Sequence, residues 1–241
     1  MNISKQVVIF AAFLLSQLAL AAPEVQTFES TKIKSIDISN DSGDVTVGVS
    51  SGLATVTYDK VKFDEKCEFV VDLIGSVLAI KTKDSSMFGG GRCQVNVTVA
   101  GPKNVSMKFK NGSGDIKVND TVGAIEYKVG SGDVNINAEV NELHGKAGSG
   151  DLIATGLVGN AEVTSGSGAV KLTYSKCQNK TAVMLRSGSG DANLYLPSDC
   201  TVGTSFRTGS GELKNDFGIS EKPNMTVSMR AGIGSLSIKR K

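Results

Sequence analysis

The stretch that decides the fold runs from residue 110 to residue 136 and reads KNGSGDIKVNDTVGAIEYKVGSGDVNI. It contains two copies of a Gly-Ser-Gly-Asp motif, whose second glycines are Gly114 and Gly132. After each motif, apolar and polar residues alternate, as in Ile116-Lys117-Val118 and Val134-Asn135-Ile136. A period of two predicts half-buried β-strands. Glycine suits a corner that needs a positive φ, so each copy reads as strand, glycine corner, strand.

The motif recurs, and we take its second glycine as the marker of each copy. The eight markers are Gly43, Gly114, Gly132, Gly150, Gly168, Gly190, Gly211 and Gly234. By subtraction, the spacings from Gly114 onward are 18, 18, 18, 22, 21 and 23 residues. A fixed period of this kind indicates stacked structural repeats, in which equivalent residues lie about 4.8 Å apart.

This regularity predicts an all-β fold, specifically a right-handed parallel β-solenoid of short coils with an N-terminal β cap. The alternative is an antiparallel β-sandwich or meander, in which each glycine turn would be a hairpin. The three equal spacings favour the solenoid.

The N-terminus has the order of a secretory signal peptide, with Lys5, an apolar run from Val7 to Leu20, and small residues up to Ala21. We therefore predict a signal peptide at 1–21. A membrane anchor is the alternative, although the apolar run is shorter than the roughly 20 residues that span a bilayer. After removal of the signal we expect no integral membrane segment.

Residues 22–241 are predicted to form a single β-repeat domain, because alternation continues along the whole chain. Strands or a cap are expected at 22–105, where the motif is missing between Gly43 and Gly114, and the repeat array at 106–241. Met87-Phe88 lies in a glycine-rich loop and would either form a contact tip or fold back onto the cap.

The charge balance and the predicted signal peptide limit where the protein is located and which partners it can bind. The chain has 26 basic and 24 acidic side chains. Removal of Lys5 with the signal leaves 26 − 1 = 25 basic side chains. This near balance argues against a nucleic-acid partner. The signal predicts a periplasmic location, or a secreted or cell-surface one.

Four cysteines in an exported chain predict two disulfides. Cys177 and Cys200 follow their markers by nine and ten residues, so they occupy near-equivalent places in successive coils. A separation near 4.8 Å would suit a disulfide, which predicts the pair Cys177–Cys200 and, by elimination, Cys67–Cys93. Metal binding by cysteine is disfavoured because the chain has no Cys-x-x-Cys pair.

A basic residue stands five positions before the acid that follows most markers. The pairs are Lys110 with Asp115, Lys128 with Asp133, Lys146 with Asp151, Arg186 with Asp191, and Arg207 with Glu212. At the Gly168 copy both charges are lost together, to Thr164 and Ala169. We interpret the pairs as parallel ladders of bases and acids that set the register of the stack. The alternative is that the acids bind Ca²⁺, as in glycine-rich and aspartate-rich nonapeptide rolls.

Catalytic residues are not predicted. A serine precedes the marker in all copies except the last, where Ile233 replaces it. A nucleophilic serine needs a base oriented toward it, and His144 is the only histidine. Repetition instead points to local hydrogen bonding in the turns. No cofactor or metal is expected.

The repeated Gly-Ser-Gly-Asp, together with Val-Ala-Gly-Pro at Val99–Pro102 and Tyr-Leu-Pro at Tyr195–Pro197, resembles the adhesin β-strand-repeat family of bacterial exported and envelope proteins, a domain of unknown function. The resemblance implies a β-solenoid-like fold and a non-enzymatic binding or scaffolding role. It supplies no catalytic residues to carry over.

The expected partner is an envelope protein or a glycan, with self-association left open. The alternatives are a Ca²⁺-stabilised β-roll and a polysaccharide-active β-helix enzyme. Such an enzyme needs acids clustered in a groove, rather than acids in a regular row.

Overall fold

The computed structural model describes residues 23–85 and 93–241. The predicted signal peptide and the Met87-Phe88 loop lie outside the described residues. The described chain is all-β, with one short 3-10 helix at Ser30–Lys32 and no α-helix. None of its helical segments is long and apolar enough to cross a bilayer.

Eighteen strands form one sheet that does not close on itself. The first seven are β1 (Glu24–Phe28), β2 (Ser35–Ser42), β3 (Val45–Val49), β4 (Ala54–Lys62), β5 (Cys67–Ile74), β6 (Val77–Asp84) and β7 (Gln94–Gly101). The next five are β8 (Ser106–Ser113), β9 (Ile116–Ser131), β10 (Val134–Ser149), β11 (Leu152–Ser167) and β12 (Val170–Tyr174). The last six are β13 (Thr181–Ser189), β14 (Ala192–Leu196), β15 (Val202–Ser210), β16 (Leu213–Asn215), β17 (Met225–Ile233) and β18 (Leu236–Arg240).

Pairing is antiparallel at one end of the sheet and parallel elsewhere. Strand β4 pairs antiparallel with β1 and β7, and β5 pairs antiparallel with β6. All other strand pairs are parallel. The antiparallel strands therefore cover the N-terminal end of a parallel stack.

Each copy of the motif packs on an equivalent copy. Lys146 lies opposite Lys128, and Val134 lies opposite both Ile116 and Leu152, so the register shift between these neighbours is one period of 18 residues. The strand before each corner pairs with the strand before the corner of the neighbouring copy. It does not pair with the strand that follows its own corner. The 16-residue strands β9, β10 and β11 each run from one corner to the next.

We call each strand, corner and strand a rung and name it by its marker glycine. From the capped end, the order of the rungs is Gly43, Gly114, Gly132, Gly150, Gly168, Gly190, Gly234 and Gly211. The last two copies are thus stacked in the reverse of their chain order. The N–H of Gly190 donates to the carbonyl of Ile233 at 3.0 Å, and that of Gly234 to the carbonyl of Ser210 at 2.8 Å.

The inward side chains form a continuous apolar core along the stack. Eight that the alternation predicts to point inward are at most 3 % exposed, namely Met107, Phe109, Ile125, Tyr127, Val183, Leu185, Val227 and Met229. Equivalent core residues stack directly on one another, as Ile125 does on Met107 and Leu143. Alternation therefore decides which face of each strand is buried.

Two disulfides are present among the described residues, one in the cap and one between the loops of two successive motif copies. Cys67 is bonded to Cys93 with 5.6 Å between their Cα atoms. Cys177 is bonded to Cys200 with 5.5 Å between their Cα atoms. The expectation of two disulfides is confirmed.

Candidate functional site

Both glycines of the corner are required by the close approach of successive rungs. Gly132 has a φ of 134°, and a Cβ added there would overlap the carbonyl oxygen of Gly114. Gly130, the first glycine of the same motif, has the equivalent contact with Gly112. A side chain at either position would therefore push the rungs apart.

The acids of the corners form a hydrogen-bonded ladder along the stack. At Asp133 the Oδ1 atom accepts the backbone N–H of Asp151 at 2.8 Å, while the N–H of Asp133 donates to Oδ1 of Asp115 at 2.9 Å. The same contact joins Asp115 to Asp44 and, at the capped end, Asp44 to the side-chain oxygen of Asn96. Each carboxylate thus supplies an acceptor for the next corner.

The two copies without an acid differ in how they affect this ladder. Ser235 donates its N–H to Asp191 at 2.8 Å, and its own Oγ accepts the N–H of Glu212 at 3.2 Å. Ala169 donates to Asp151 at 2.8 Å but has no side-chain oxygen to offer Asp191. The ladder is therefore continued by Ser235 and interrupted at Ala169.

The bases predicted from the sequence align in one outward row, which we call the cationic ladder. In stacking order its nine positions are Lys81, Ser39, Lys110, Lys128, Lys146, Thr164, Arg186, Arg230 and Arg207. Seven are cations and none is an acid. Lys81 belongs to the cap, and sequence reasoning missed it because it carries no glycine motif.

In the described part of the chain, none of the five predicted base and acid pairs lies within the 4.0 Å of an ion pair. The only ladder cation with such a contact there is Arg186, whose Nη1 lies 2.8 Å from Oε1 of Glu162. The acids instead take backbone N–H partners, as the corner ladder shows. Bases and acids are thus aligned in separate rows.

A second outward row, the mixed ladder, runs beside the cationic ladder, two residues earlier on each strand. Its charged members in stacking order are Asp37, Lys108, Glu126, His144 and Glu162. Lys108 contacts Glu126 at 3.0 Å. A surface depression of about 490 Å³ lies between the two ladders, lined in part by Lys128, Lys146 and His144.

Among the described residues, neither the corner serine Ser113 nor His144 has the geometry of a nucleophile and its base. Ser113 Oγ donates to Ser42 Oγ at 3.1 Å, within the corner row. The ring nitrogens of His144 face carboxylates, with Nε2 3.1 Å from Glu142 and Nδ1 3.8 Å from Glu162. His144 is therefore an exposed side chain that lies against two carboxylates.

One group of potential metal donors occurs among the described residues, formed by Asp64, Cys67 and Cys93. The two cysteines are bonded to each other, so neither offers a thiolate. The two cysteines of this group instead form a disulfide in the cap, beside Asp64.

Two buried tyrosines lie in the core below the outward rows. Burial raises the pKa of the Tyr127 hydroxyl and that of the Tyr174 hydroxyl well above the usual value near 10. Both hydroxyls are buried and have no hydrogen-bond partner among the residues that the structure describes. The Tyr127 ring fills the space where a side chain at Gly145 would stand. These tyrosines contribute to packing rather than to a surface site.

Buried asparagines at the first corners are a feature that sequence reasoning missed. Asn40 Nδ2 donates to the Val95 carbonyl at 2.9 Å, and Asn111 Nδ2 donates to the Gly43 and Gly114 carbonyls at 3.1 and 3.0 Å. Each lies three residues before a marker, and that spacing was the available signal. Both asparagines therefore donate hydrogen bonds to backbone carbonyls from the buried side of the corners.

Comparison with known proteins gives a family match that covers residues 59–214, to the family described as "Putative auto-transporter adhesin, head GIN domain". The chain belongs to this family. The adhesin-family resemblance of the sequence is thereby confirmed, and a non-catalytic, adhesin-like role is consistent with it. Membership of an adhesin family and the two disulfides indicate a location outside the cytoplasm or at the cell surface.

Three solved structures are similar to this chain at low identity. A "putative cell adhesion protein" from Clostridium sporogenes is 17% identical, with a TM-score of 0.42, 91% of this chain and 99% of that chain covered. A "putative adhesin" from Bacteroides fragilis is 11% identical, with a TM-score of 0.42 and coverages of 90% and 96%. A "putative lipid binding protein" from Parabacteroides distasonis is 20% identical, with a TM-score of 0.47 and coverages of 89% and 96%.

The family match, rather than these distant likenesses, carries the assignment. A search of curated proteins gave no significant match.

Proposed function

We propose that this chain is an exported, non-catalytic binding module of the cell envelope, an adhesin-like domain whose outward ladders form the contact surface. The observation that carries the proposal is the cationic ladder, in which equivalent exposed side chains are held in register over nine strands. A rigid sheet that repeats one side-chain row presents an extended surface for a partner.

We also propose that residues 22–241 form one domain, a right-handed parallel β-solenoid with an N-terminal β cap, after removal of residues 1–21. The parallel register shift of 18 residues supports the coil. The antiparallel strands β1, β4 and β5 support the cap.

The non-catalytic part of the proposal rests on what the polar side chains do. The corner aspartates accept backbone N–H groups, and the corner serine Ser113 bonds to another serine. Groups that repeat at most rungs and hydrogen-bond to the neighbouring rung serve the stack. A catalytic acid or nucleophile would be distinguished from its copies by its surroundings.

The test is binding of the purified protein to isolated cell envelopes, together with an assay for release of reducing sugar ends. We expect saturable binding that unlabelled protein displaces and no release of sugar ends over hours. Release of sugar ends that Asp133→Asn abolishes would refute the proposal in favour of a polysaccharide-cleaving enzyme, and absence of saturable binding would refute the binding role. A large loss of melting temperature on chelation would favour a Ca²⁺-stabilised roll.

A further inference from the structure

We propose that the cationic ladder binds a linear acidic polysaccharide, whose carboxylates or sulfates lie along the stack of rungs. The inference deepens the proposed function and rests on it, because it names the ligand class of the same surface.

The cationic ladder keeps like charges in register although the same sheet can alternate them. Like charges directly opposite one another on neighbouring strands are destabilising. In the mixed ladder Lys108 is placed opposite Glu126 and makes an ion pair with it. In the cationic ladder the corresponding neighbours are Lys110 and Lys128. The cationic ladder therefore loses stability to repulsion between like charges, and the neighbouring mixed ladder avoids this loss. The difference indicates that the cationic ladder meets a functional requirement.

The spacing of the cations matches that of the sugars in an extended polysaccharide. Neighbouring strands lie about 4.8 Å apart, so the nine positions span about 38 Å. An extended polysaccharide advances a similar distance with each sugar, so acidic groups on successive sugars can meet successive rungs. The three consecutive lysines, Lys110, Lys128 and Lys146, and the three consecutive arginines at the far end form two such runs. Arginine suits bidentate contacts with planar carboxylates.

The cations are accessible to a ligand from the side of the glycine corners. Toward the corner, the next outward position of most rungs is a glycine, which leaves a strip of bare backbone. The glycines of this strip are Gly112, Gly130, Gly148, Gly166, Gly188, Gly232 and Gly209. On the other side of the ladder is the depression, where Lys128 and Lys146 form one side and Glu126 and Glu162 of the mixed ladder form the other. A chain lying on the strip would therefore meet no side chain that blocks the cations.

The corner acids lie across this strip, and their geometry limits their repulsion of an anion. Aspartate is shorter than lysine or arginine, so its charge stays nearer the backbone. Asp115, Asp133 and Asp151 also hold one carboxylate oxygen against a backbone N–H of the next rung. A ligand above the strip meets the longer cationic side chains first.

A nucleic acid is the other linear polyanion that the row could attract, and the surface fits it less well. Single strands are bound through aromatic side chains on which bases stack. The cationic ladder and the glycine strip include no Phe, Tyr, Trp or His. His144 of the mixed ladder lies against the carboxylates of Glu142 and Glu162. We therefore make nucleic acid an outcome of the test.

The experiment measures affinity by titration with polygalacturonate, which has one carboxylate per sugar, with its methyl ester, with heparin and with duplex DNA. The test variant is K110Q/K128Q/K146Q. The control variant, K117Q/K171Q/K214Q, removes three exposed lysines from the strands that follow the corners, with the same change in net charge.

We expect polygalacturonate or heparin to bind the wild-type protein more tightly than the methyl ester or DNA, with an affinity that falls as salt rises. The test variant should lose at least about tenfold in affinity and the control less than about twofold. The test variant should melt at the same temperature as the wild type or higher, because like charges have been removed.

The inference is overturned if neither acidic polysaccharide binds, if the methyl ester binds equally, if DNA binds more tightly, or if the control variant loses as much affinity as the test variant. Envelope binding separates the two proposals. If the wild type and the test variant bind envelopes equally, the binding role stands and the cationic ladder is not its surface.

Discussion

Replacing Asp133 by alanine should destabilise the protein through loss of one hydrogen-bond acceptor. Oδ1 of Asp133 accepts the N–H of Asp151 at 2.8 Å, and alanine would leave that N–H to water. A net contribution of about 1 kcal/mol is typical for such a bond. In a domain of this size, about 1 kcal/mol corresponds to a decrease of about 2–4 °C in melting temperature.

Asp133→Asn is the matched variant that separates the acceptor from the charge. Its amide oxygen can still accept the N–H, while the like charges of Asp115 and Asp151 lose a neighbour. We expect its free energy of unfolding to stay within about 0.5 kcal/mol of the wild type. The reverse change, Ala169→Asn, offers an acceptor to Asp191 where the ladder is interrupted, and should raise the melting temperature by about 2–4 °C.

The assay is thermal and urea unfolding of the four proteins, followed by circular dichroism. The reasoning would be wrong if Asp133→Asn lost as much stability as Asp133→Ala, because charge rather than acceptance would then explain the aspartate. It would also be wrong if Ala169→Asn were destabilising while its circular dichroism spectrum was unchanged.

Two further predictions concern the corners and the buried tyrosines. Gly132→Ala should lower the free energy of unfolding by about 2 kcal/mol or more, since the φ of Gly132 is positive and an added Cβ would overlap a carbonyl. Gly48→Ala has open space around the Cβ and should leave the free energy of unfolding unchanged or raise it. Urea unfolding measures both. Burial raises the pKa of Tyr127 and Tyr174, so both stay protonated in the folded state while the unfolded chain ionises above about pH 10. The free energy of unfolding should therefore fall above pH 10 by up to about 1.4 kcal/mol per pH unit for each tyrosine. The Y127F/Y174F variant should show a smaller decrease. An equal decrease in the wild type and the variant would contradict the raised pKa values of these tyrosines.

Local sequence signals predict the strands and corners well because they depend on neighbouring residues. Alternation after Gly114 and Gly132 gave strands that begin at Ile116 and Val134, as observed. The buried face followed from the same alternation, since Tyr127 is 2 % exposed. The family resemblance rested on repetition of the same motif.

Features that depend on contacts between distant rungs could not be predicted in this way. Spacings of 22, 21 and 23 residues do not show that the Gly234 rung stacks between those of Gly190 and Gly211. The charge pattern suggested that bases offset the acids. Only the stacked geometry shows that an Asp133 oxygen reaches the N–H of Asp151, or that Lys81 continues the cationic ladder.

The most direct test is a comparison of two engineered cysteine pairs, because the corner ladder and the cationic ladder both depend on parallel stacking of the rungs. Asn135 lies opposite Ile153 in the parallel register, and both are exposed. A hairpin at the Gly132 corner would instead place Asn135 opposite Lys128. The separation of neighbouring strands, about 4.8 Å, falls within the Cα range of a disulfide.

Under mild oxidation, with the disulfides mapped by mass spectrometry, we predict that N135C/I153C forms its new disulfide and that K128C/N135C does not. A disulfide in K128C/N135C, with none in N135C/I153C, would contradict the parallel stack and with it the cationic ladder.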